Sequence, residues 1–468
     1  MKITLIGAGA EFNNLTLAGY KTARESKRVF LRTALSKVGS EIIQSDIKAE
    51  PLDYVYESCR NFDTLSKKLA KVVLDASKTE DVVYIVDGDV SDDVSCSIIL
   101  KKHKNVEVIA GVSKATYFLS KLGIVGSYTA CSAYDVKSCS LSLPLVVYDI
   151  DSQFMASEVK LTLSNLFGDE IPAYKFKNGS FKKIQLYESD FDLDFDYSCA
   201  LVIDKLPLTQ KTRFDLNDLH EIVKVLRSEN GCPWDRAQTK ESIRKDIIEE
   251  AYELVDSINR NDEDGMLEES GDLILQAVFS SIFAEERRSF TLRDALSGIC
   301  SKLIARHTHI FGADKASTAE NALEIWDKNK QKEKGFECGG EYLDSVPKNF
   351  PALMRAQKVG SRAKKFNMDF DSAIAVFEKV KEELDEVRVE LGSGDSKKLA
   401  NELGDLLFAI VSLARLSGLE SEEILNLSTE KFIDRFKKTE NLILKDGKDM
   451  KSLSAKEIDE YYNVAKKN

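Results

Sequence analysis

Glu249-Glu250-Ala251-Tyr252-Glu253, followed by Glu269-Ser270-Gly271-Asp272, returns 133 residues later as Glu382-Glu383-Leu384-Asp385-Glu386 with Glu402-Leu403-Gly404-Asp405. All five acidic positions of the first set recur at the same spacing, which marks an internal repeat rather than a by-product of an acid-rich composition. Around the first set, Ile247, Ile248, Ala251, Leu254, Val255 and Ile258 follow a helical period, and Val376, Phe377, Val380, Leu384 and Val387 do so around the second. A polar turn follows each, at Asn259 to Asp264 and at Gly392-Ser393-Gly394-Asp395, before another amphipathic run. Each copy therefore reads as a helical hairpin.

The spacing also predicts a geometry. Glu250 and Asp272 lie equally far from residue 261, as do Glu253 and Glu269; Glu383 with Asp405 and Glu386 with Glu402 are symmetric about residue 394. At about 1.5 Å of rise per residue, antiparallel pairing sets the four carboxylates of a copy at one level, and the i,i+3 spacing points each pair the same way. Four converging carboxylates repel one another unless a cation compensates them. Oxygen donors with no cysteine or neighbouring histidine suit Mg²⁺, or Mn²⁺, rather than zinc. The metal candidates are Glu250, Glu253, Glu269, Asp272, Glu383, Glu386, Glu402 and Asp405, and phosphate chemistry is the natural companion of such a site.

At 468 residues the chain predicts roughly three domains, and 43% hydrophobic with 31% charged residues is the composition of a folded soluble protein. A net charge of -12 argues against binding a nucleic-acid polymer through its backbone. Eight cysteines without CxxC spacing fit a reduced protein better than a disulfide scaffold. With no 18-residue apolar segment and no secretory leader, no membrane association is expected and the expected location is the cytoplasm.

Before the repeat, short apolar runs at Ile3 to Ile6, Val82 to Val86, Val106 to Ile109 and Leu143 to Tyr148 alternate with helical segments, which predicts an α/β domain. Gly7-Ala8-Gly9-Ala10 after the first strand allows close backbone approach. Phe191, Leu193, Phe195 and Tyr197 alternate with Asp190, Asp192, Asp194 and Asp196, which predicts a strand with one water-facing row of aspartates.

The opening Ile3-Thr4-Leu5-Ile6-Gly7-Ala8-Gly9, with Leu15-Thr16-Leu17-Ala18, Val82-Val83-Tyr84-Ile85-Val86-Asp87-Gly88-Asp89 and Val108-Ile109-Ala110-Gly111-Val112-Ser113, resembles the tetrapyrrole methylase family. That resemblance implies two α/β subdomains with S-adenosylmethionine between them, and a cofactor site at Gly7, Gly9, Asp87, Gly88 and Gly111. Here Ala10-Glu11 stands where the family has a Gly-Asp or similar pair, and Asp87-Gly88-Asp89-Val90 replaces a Pro-Gly-His-Pro-like loop. Added carboxylates oppose the carboxylate of that cofactor. The expectation is a degenerate methylase-like domain with a regulatory or assembly role and a vestigial cofactor site; an active methyltransferase is the alternative.

From Asp215 onward, Leu219-His220-Glu221-Ile222-Val223, Leu226-Arg227, Gly231-Cys232-Pro233-Trp234-Asp235, Gln238-Thr239 and the first acidic set resemble the MazG nucleotide pyrophosphohydrolase family. The likeness continues through Arg306-His307-Thr308-His309-Ile310-Phe311, Val346 to Leu353 and Ala356-Gln357-Lys358. It implies hydrolysis of nucleoside or deoxynucleoside triphosphates to monophosphate and pyrophosphate, with the eight carboxylates above as metal positions and Glu249 and Glu382 as auxiliary acids. It also implies phosphate or nucleotide contacts at Lys302, Arg306, Trp326 and Lys330, and again at Lys431, Arg435, Tyr462 and Lys466, with Tyr462 in place of the family's tryptophan. His307 and His309 read as structural, and Trp234 as a packing anchor. The resulting organisation is a multidomain chain, an α/β methylase-like domain over 1–206 followed by two all-α helical modules over 214–335 and 345–468. Joints are expected at Pro207 to Arg213 and Gly335 to Tyr342, and a homodimer is expected from the family. A nucleotide-sensing or assembly protein without turnover is the rival of a different class.

Overall fold

Among the described residues ten strands form two five-stranded sheets, both in the N-terminal part of the chain. The computed structural model describes residues 1–57, 62–177, 179–196, 198–334 and 338–466. The first sheet contains β1 (Ile3–Gly7), β2 (Val29–Leu31), β3 (Glu50–Pro51), β4 (Val82–Val86) and β5 (Val106–Ile109) in the order β3-β2-β4-β1-β5. All of its pairs are parallel. Every residue of β1 and β4 is buried, as expected of strands covered on both faces, and this is why they read as unbroken apolar runs. Ile3, Leu5, Tyr84 and Val86 face one core with Leu69 and Ile99, while Ile6, Val83 and Ile85 face the other with Ala23 and Ile42. That split follows the two-residue period of a strand.

The second sheet contains β6 (Thr129–Ser132), β7 (Leu145–Tyr148), β8 (Pro172–Lys177), β9 (Ser180–Gln185) and β10 (Ala200–Ile203) in the order β6-β7-β10-β8-β9. Only the β6–β7 pair is parallel. The N-terminal part is thus an α/β domain, followed by a helical region.

One expectation is corrected. Residues 190–196 form no strand, and Tyr197 lies outside the described residues. The aspartates pair with lysines instead: Asp190 with Lys160 at 2.7 Å, Asp192 with Lys175 at 2.9 Å and Asp194 with Lys177 at 2.6 Å. The segment is tied to β8 through side chains rather than through a backbone ladder.

The chain divides into two compact units, Met1–Ala295 and Leu296–Asn468, the division falling within the helix Leu292–Arg306. In the first unit, helices Ile243–Arg260 and Glu263–Glu286 form a hairpin. Asn261 turns the chain in the left-handed region at φ 52°, and the Asp262 side chain accepts the Gly265 amide to start the second helix. Helix Leu216–Arg227 packs on this hairpin, with Val223, Ile243, Val278, Phe279, Ile282 and Phe283 as the core.

In the second unit, Ala373–Ser393 and Ser396–Leu416 form the equivalent hairpin around Gly394, at φ 74°, with Asp395 accepting the amides of Lys397 and Lys398. Helices Ala352–Ala363 and Ser421–Lys445 pack on it. Of the two expected joints, Pro207 to Arg213 contains a short 3-10 turn, Leu208–Gln210. The other begins in residues 335–337, outside the described residues, and continues into the short helix Gly339–Asp344. Among the described residues no helix is long and apolar enough to cross a membrane.

Candidate metal and phosphate sites

The first hairpin carries Glu250 and Glu253 on one helix and Glu269 and Asp272 on the other. One carboxylate oxygen each from Glu250, Glu253 and Glu269 lies within 4.8 Å of the others. Asp272 takes part through its field: the Glu250 carboxyl is held above its ordinary pKa by burial first, then by repulsion from Asp272, Glu253 and Glu269. Glu269 is raised in the same way, by desolvation and then by Glu253.

In the second hairpin, Glu383, Glu402 and Asp405 come within 4.8 Å of one another. Glu386 is exposed and sits beside them, its carboxyl raised by desolvation and by repulsion from Glu383 and Glu402. An all-carboxylate set of this kind suits a hard cation, which Glu250, Glu253 and Glu269 would hold in one copy and Glu383, Glu402 and Asp405 in the other. The residues present fit Mg²⁺ or Mn²⁺.

The auxiliary acids face lysines of their own helices. Glu249 pairs with Lys245 at 2.8 Å and Glu382 with Lys379 at 2.9 Å. Lys379 was not singled out in the sequence, yet its ammonium also lies 2.7 Å from Glu383, and these two acids raise its pKa. The same 133-residue offset that exposes the repeat sets Asp246 in the place of Lys379.

A cavity of about 450 Å³ opens beside Glu383 and Asp405, walled by Val359, Met368, Phe370 and Phe408. The Arg415 guanidinium grips both Asp369 oxygens at its edge, at 3.0 and 2.5 Å.

The basic and aromatic candidates all lie in the second unit. The Arg306 guanidinium is 5.3 Å and the Lys330 ammonium 4.5 Å from the centre of the Trp326 ring. Arg306 also donates to Glu333 at 2.8 Å, and desolvation with the field of Arg306 lowers the Lys330 pKa. Lys302 is exposed. In the later set Tyr462 rests against Phe432, ring centres 6.3 Å apart, with Arg435 half-buried and Lys431 and Lys466 exposed. The His307 and His309 rings are 5.6 Å apart, and His307 Nδ1 bonds the Leu303 carbonyl at 2.7 Å. Trp234 is no packing anchor: it is 67% exposed, because the short helix Pro233–Ala237 turns Asp235 inward instead.

In the α/β domain, Gly7, Gly9, Asp87, Gly88 and Gly111 do converge. Gly9 and Gly88 exchange two backbone hydrogen bonds of 2.9 Å. A Cβ on Gly7 would lie 2.7 Å from the Gly111 nitrogen and 2.8 Å from the Gly88 oxygen, so the loops touch backbone to backbone. Asp89 accepts the Gly111 amide and Asp92 the Lys114 amide, both at 2.8 Å. The buried Asp87 carboxyl is pushed up by desolvation, against the pull of Lys114, Arg32 and Ser36, and its Oδ1 has no hydrogen-bond partner among the described residues. It lines a cavity of about 380 Å³ with Lys114, Tyr117, Tyr148 and Phe176.

With this geometry in place, the likeness to known proteins is informative. Residues 238–311 and 372–439 match the MazG nucleotide pyrophosphohydrolase domain, and residues 2–134 match the Tetrapyrrole (Corrin/Porphyrin) Methylases. The chain belongs to the MazG nucleotide pyrophosphohydrolase family, in the fused form that carries a tetrapyrrole methylase domain at its N-terminus. A Bacillus subtilis relative, the uncharacterized protein YabN, is 30% identical across 99% of this chain and 98% of its own length. The MazG nucleoside triphosphate pyrophosphohydrolase/pyrophosphatase of Thermotoga maritima is 39% identical, matching 53% of this chain and 94% of its own. The nucleoside triphosphate pyrophosphohydrolase of Escherichia coli K12 is 37% identical, matching 54% of this chain and 97% of its own.

Proposed function

We propose that the chain hydrolyses nucleoside triphosphates, ribo- or deoxyribonucleotides, to monophosphate and pyrophosphate with Mg²⁺, Mn²⁺ serving in its place. The observation that carries this reading is the twice-built carboxylate cluster, three oxygens within 4.8 Å in each copy, in a chain of this family. Glu250, Glu253, Glu269 and Asp272 would hold the ion in one hairpin, and Glu383, Glu386, Glu402 and Asp405 in the other. A bound divalent ion supplies Lewis acidity toward phosphoryl oxygens, a more acidic water and charge balance for departing pyrophosphate.

The chain's own residues set the geometry. Paired helices fix the carboxylates before substrate arrives, which reduces reorganisation during reaction. The cavity beside Glu383 and Asp405 offers apolar walls for a base or sugar while the phosphates stay at its carboxylate rim. Arg306, Lys330, Lys302, Lys431, Arg435 and Lys466 are the cations proposed for phosphate, Arg306 and Lys330 resting against the Trp326 ring, and Trp326 and Tyr462 are the rings proposed to stack on a base. In the reaction the water oxygen bonds to the α-phosphorus, the bond from that phosphorus to the bridging oxygen breaks with its electron pair leaving on pyrophosphate, and the water's proton passes to solvent.

Exposed apolar side chains on the carboxylate-bearing helices, among them Ile248, Val255, Leu384 and Leu407, support a homodimer that covers them. The absence of a membrane-capable helix among the described residues and their free cysteines favour the cytoplasm. In the α/β domain, Asp89 and Asp92 already take the loop amides of Gly111 and Lys114, leaving neither for the carboxylate of S-adenosylmethionine. The residues fit that cofactor poorly, which supports a regulatory or assembly role over methyl transfer.

The test is release of pyrophosphate and monophosphate from a panel of triphosphates, with and without Mg²⁺, beside the Glu253→Gln/Glu386→Gln double variant. Metal-dependent release that falls about a hundredfold or more in the variant is expected. Nucleotide binding with no pyrophosphate from any member of the panel would put the sensing role in its place.

A further inference from the structure

The two hairpins set matching carboxylates on different electrostatic backgrounds. Residues 246–272 carry eleven acidic side chains against one basic, whereas residues 379–405 carry eight against five. In register, Asp246 becomes Lys379, Asp264 becomes Lys397 and Glu268 becomes Asn401. The first of these differences reaches the site itself. Asp246 adds to the repulsion on Glu250, while the Lys379 ammonium stands 2.7 Å from Glu383, a carboxylate only 5% exposed.

We infer that the first hairpin is the tighter divalent-cation site, retaining its ion without nucleotide, and that the second takes its ion together with the nucleotide. This rests on the metal-dependent reading above. An ion entering the second hairpin competes with Lys379 for the buried Glu383 carboxylate and meets the like charge of its ammonium at close range. In the first hairpin the corresponding residue is Asp246, and the nearby Lys245 pairs with Glu249, outside the four-carboxylate set, at 2.8 Å, so an entering ion relieves repulsion among five acids. The Lys379–Glu383 contact at 2.7 Å lies well inside a Debye length of about 8 Å at physiological salt, so salt does not screen it away. A triphosphate gives Lys379 a replacement anion, which removes the penalty in the second hairpin.

The experiment uses the full chain stripped of metal and titrated with Mn²⁺, free Mn²⁺ being read by electron paramagnetic resonance. Two classes of site differing at least tenfold in affinity are expected. A non-hydrolysable α,β-methylene triphosphate should tighten only the weaker class. Asp246→Lys should weaken the tight class at least tenfold, and Lys379→Asp should bring the weak class toward it. Should either variant lose its circular dichroism, Asp246→Asn and Lys379→Met report the same directions at severalfold. One class of equivalent sites, or two classes that these substitutions leave unmoved, overturns the inference. Pyrophosphate release from the same preparations separates the two readings: equal classes with metal-dependent release refute only the asymmetry, and unequal classes without release refute only the hydrolase.

Discussion

Asp369 and Arg415 form a largely buried ion pair at the edge of the second unit's cavity. Arg415 holds the Asp369 carboxyl below the ordinary carboxylate range. A carboxyl depressed on folding stabilises the native state above its unfolded pKa, and that contribution disappears as pH falls through the folded value. Urea melts should therefore show the second unit losing stability below about pH 4. Asp369→Asn should cost about 3 kcal/mol at pH 7, because it leaves a guanidinium nearly buried without its anion, and should flatten the acid dependence. An acid limb unchanged in Asp369→Asn would assign that loss to other groups. At this scale the carboxylate sets were legible, since i,i+3 spacing and symmetry about a turn are geometric facts of a helix pair. Lys379 was not, because its meaning lies in the buried Glu383 beside it, and burial leaves no mark on a single exposed-looking lysine.

Turns govern the elements. Gly394 closes the second hairpin in the left-handed region, and a Cβ there would meet nothing within 4 Å. Gly394→Ala therefore isolates a backbone effect of about 1 kcal/mol, expected as a fall of about 2–4 °C in the melting of a unit this size. A larger fall would mean that the turn makes contacts not visible at this glycine. The hairpins were readable because their apolar period, their turn residues and the Asp262 and Asp395 caps all agree. Residues 190–196 misled for a physical reason. Their alternation is real, but Asp192 and Asp194 keep step with Lys175 and Lys177 on β8, so the period of two serves ion pairing and the backbone never joins the sheet. Short strands such as Val29–Leu31 carry too few residues for any period to declare itself.

For the whole molecule, the open apolar side chains of the carboxylate-bearing helices lead to a prediction about mass. Light scattering should give twice the chain mass, and Leu384→Glu with Leu407→Glu should halve it while circular dichroism stays unchanged, both positions being exposed in the single chain. A doubled mass in that variant would move the dimer surface elsewhere. The α/β domain offers a different lesson. Gly7, Gly88 and Gly111 are held glycine by one loop lying on another, whatever the cleft contains. A Cβ at any of them is barred whether or not methyl transfer occurs, so these glycines report how the scaffold is built rather than what the cleft binds.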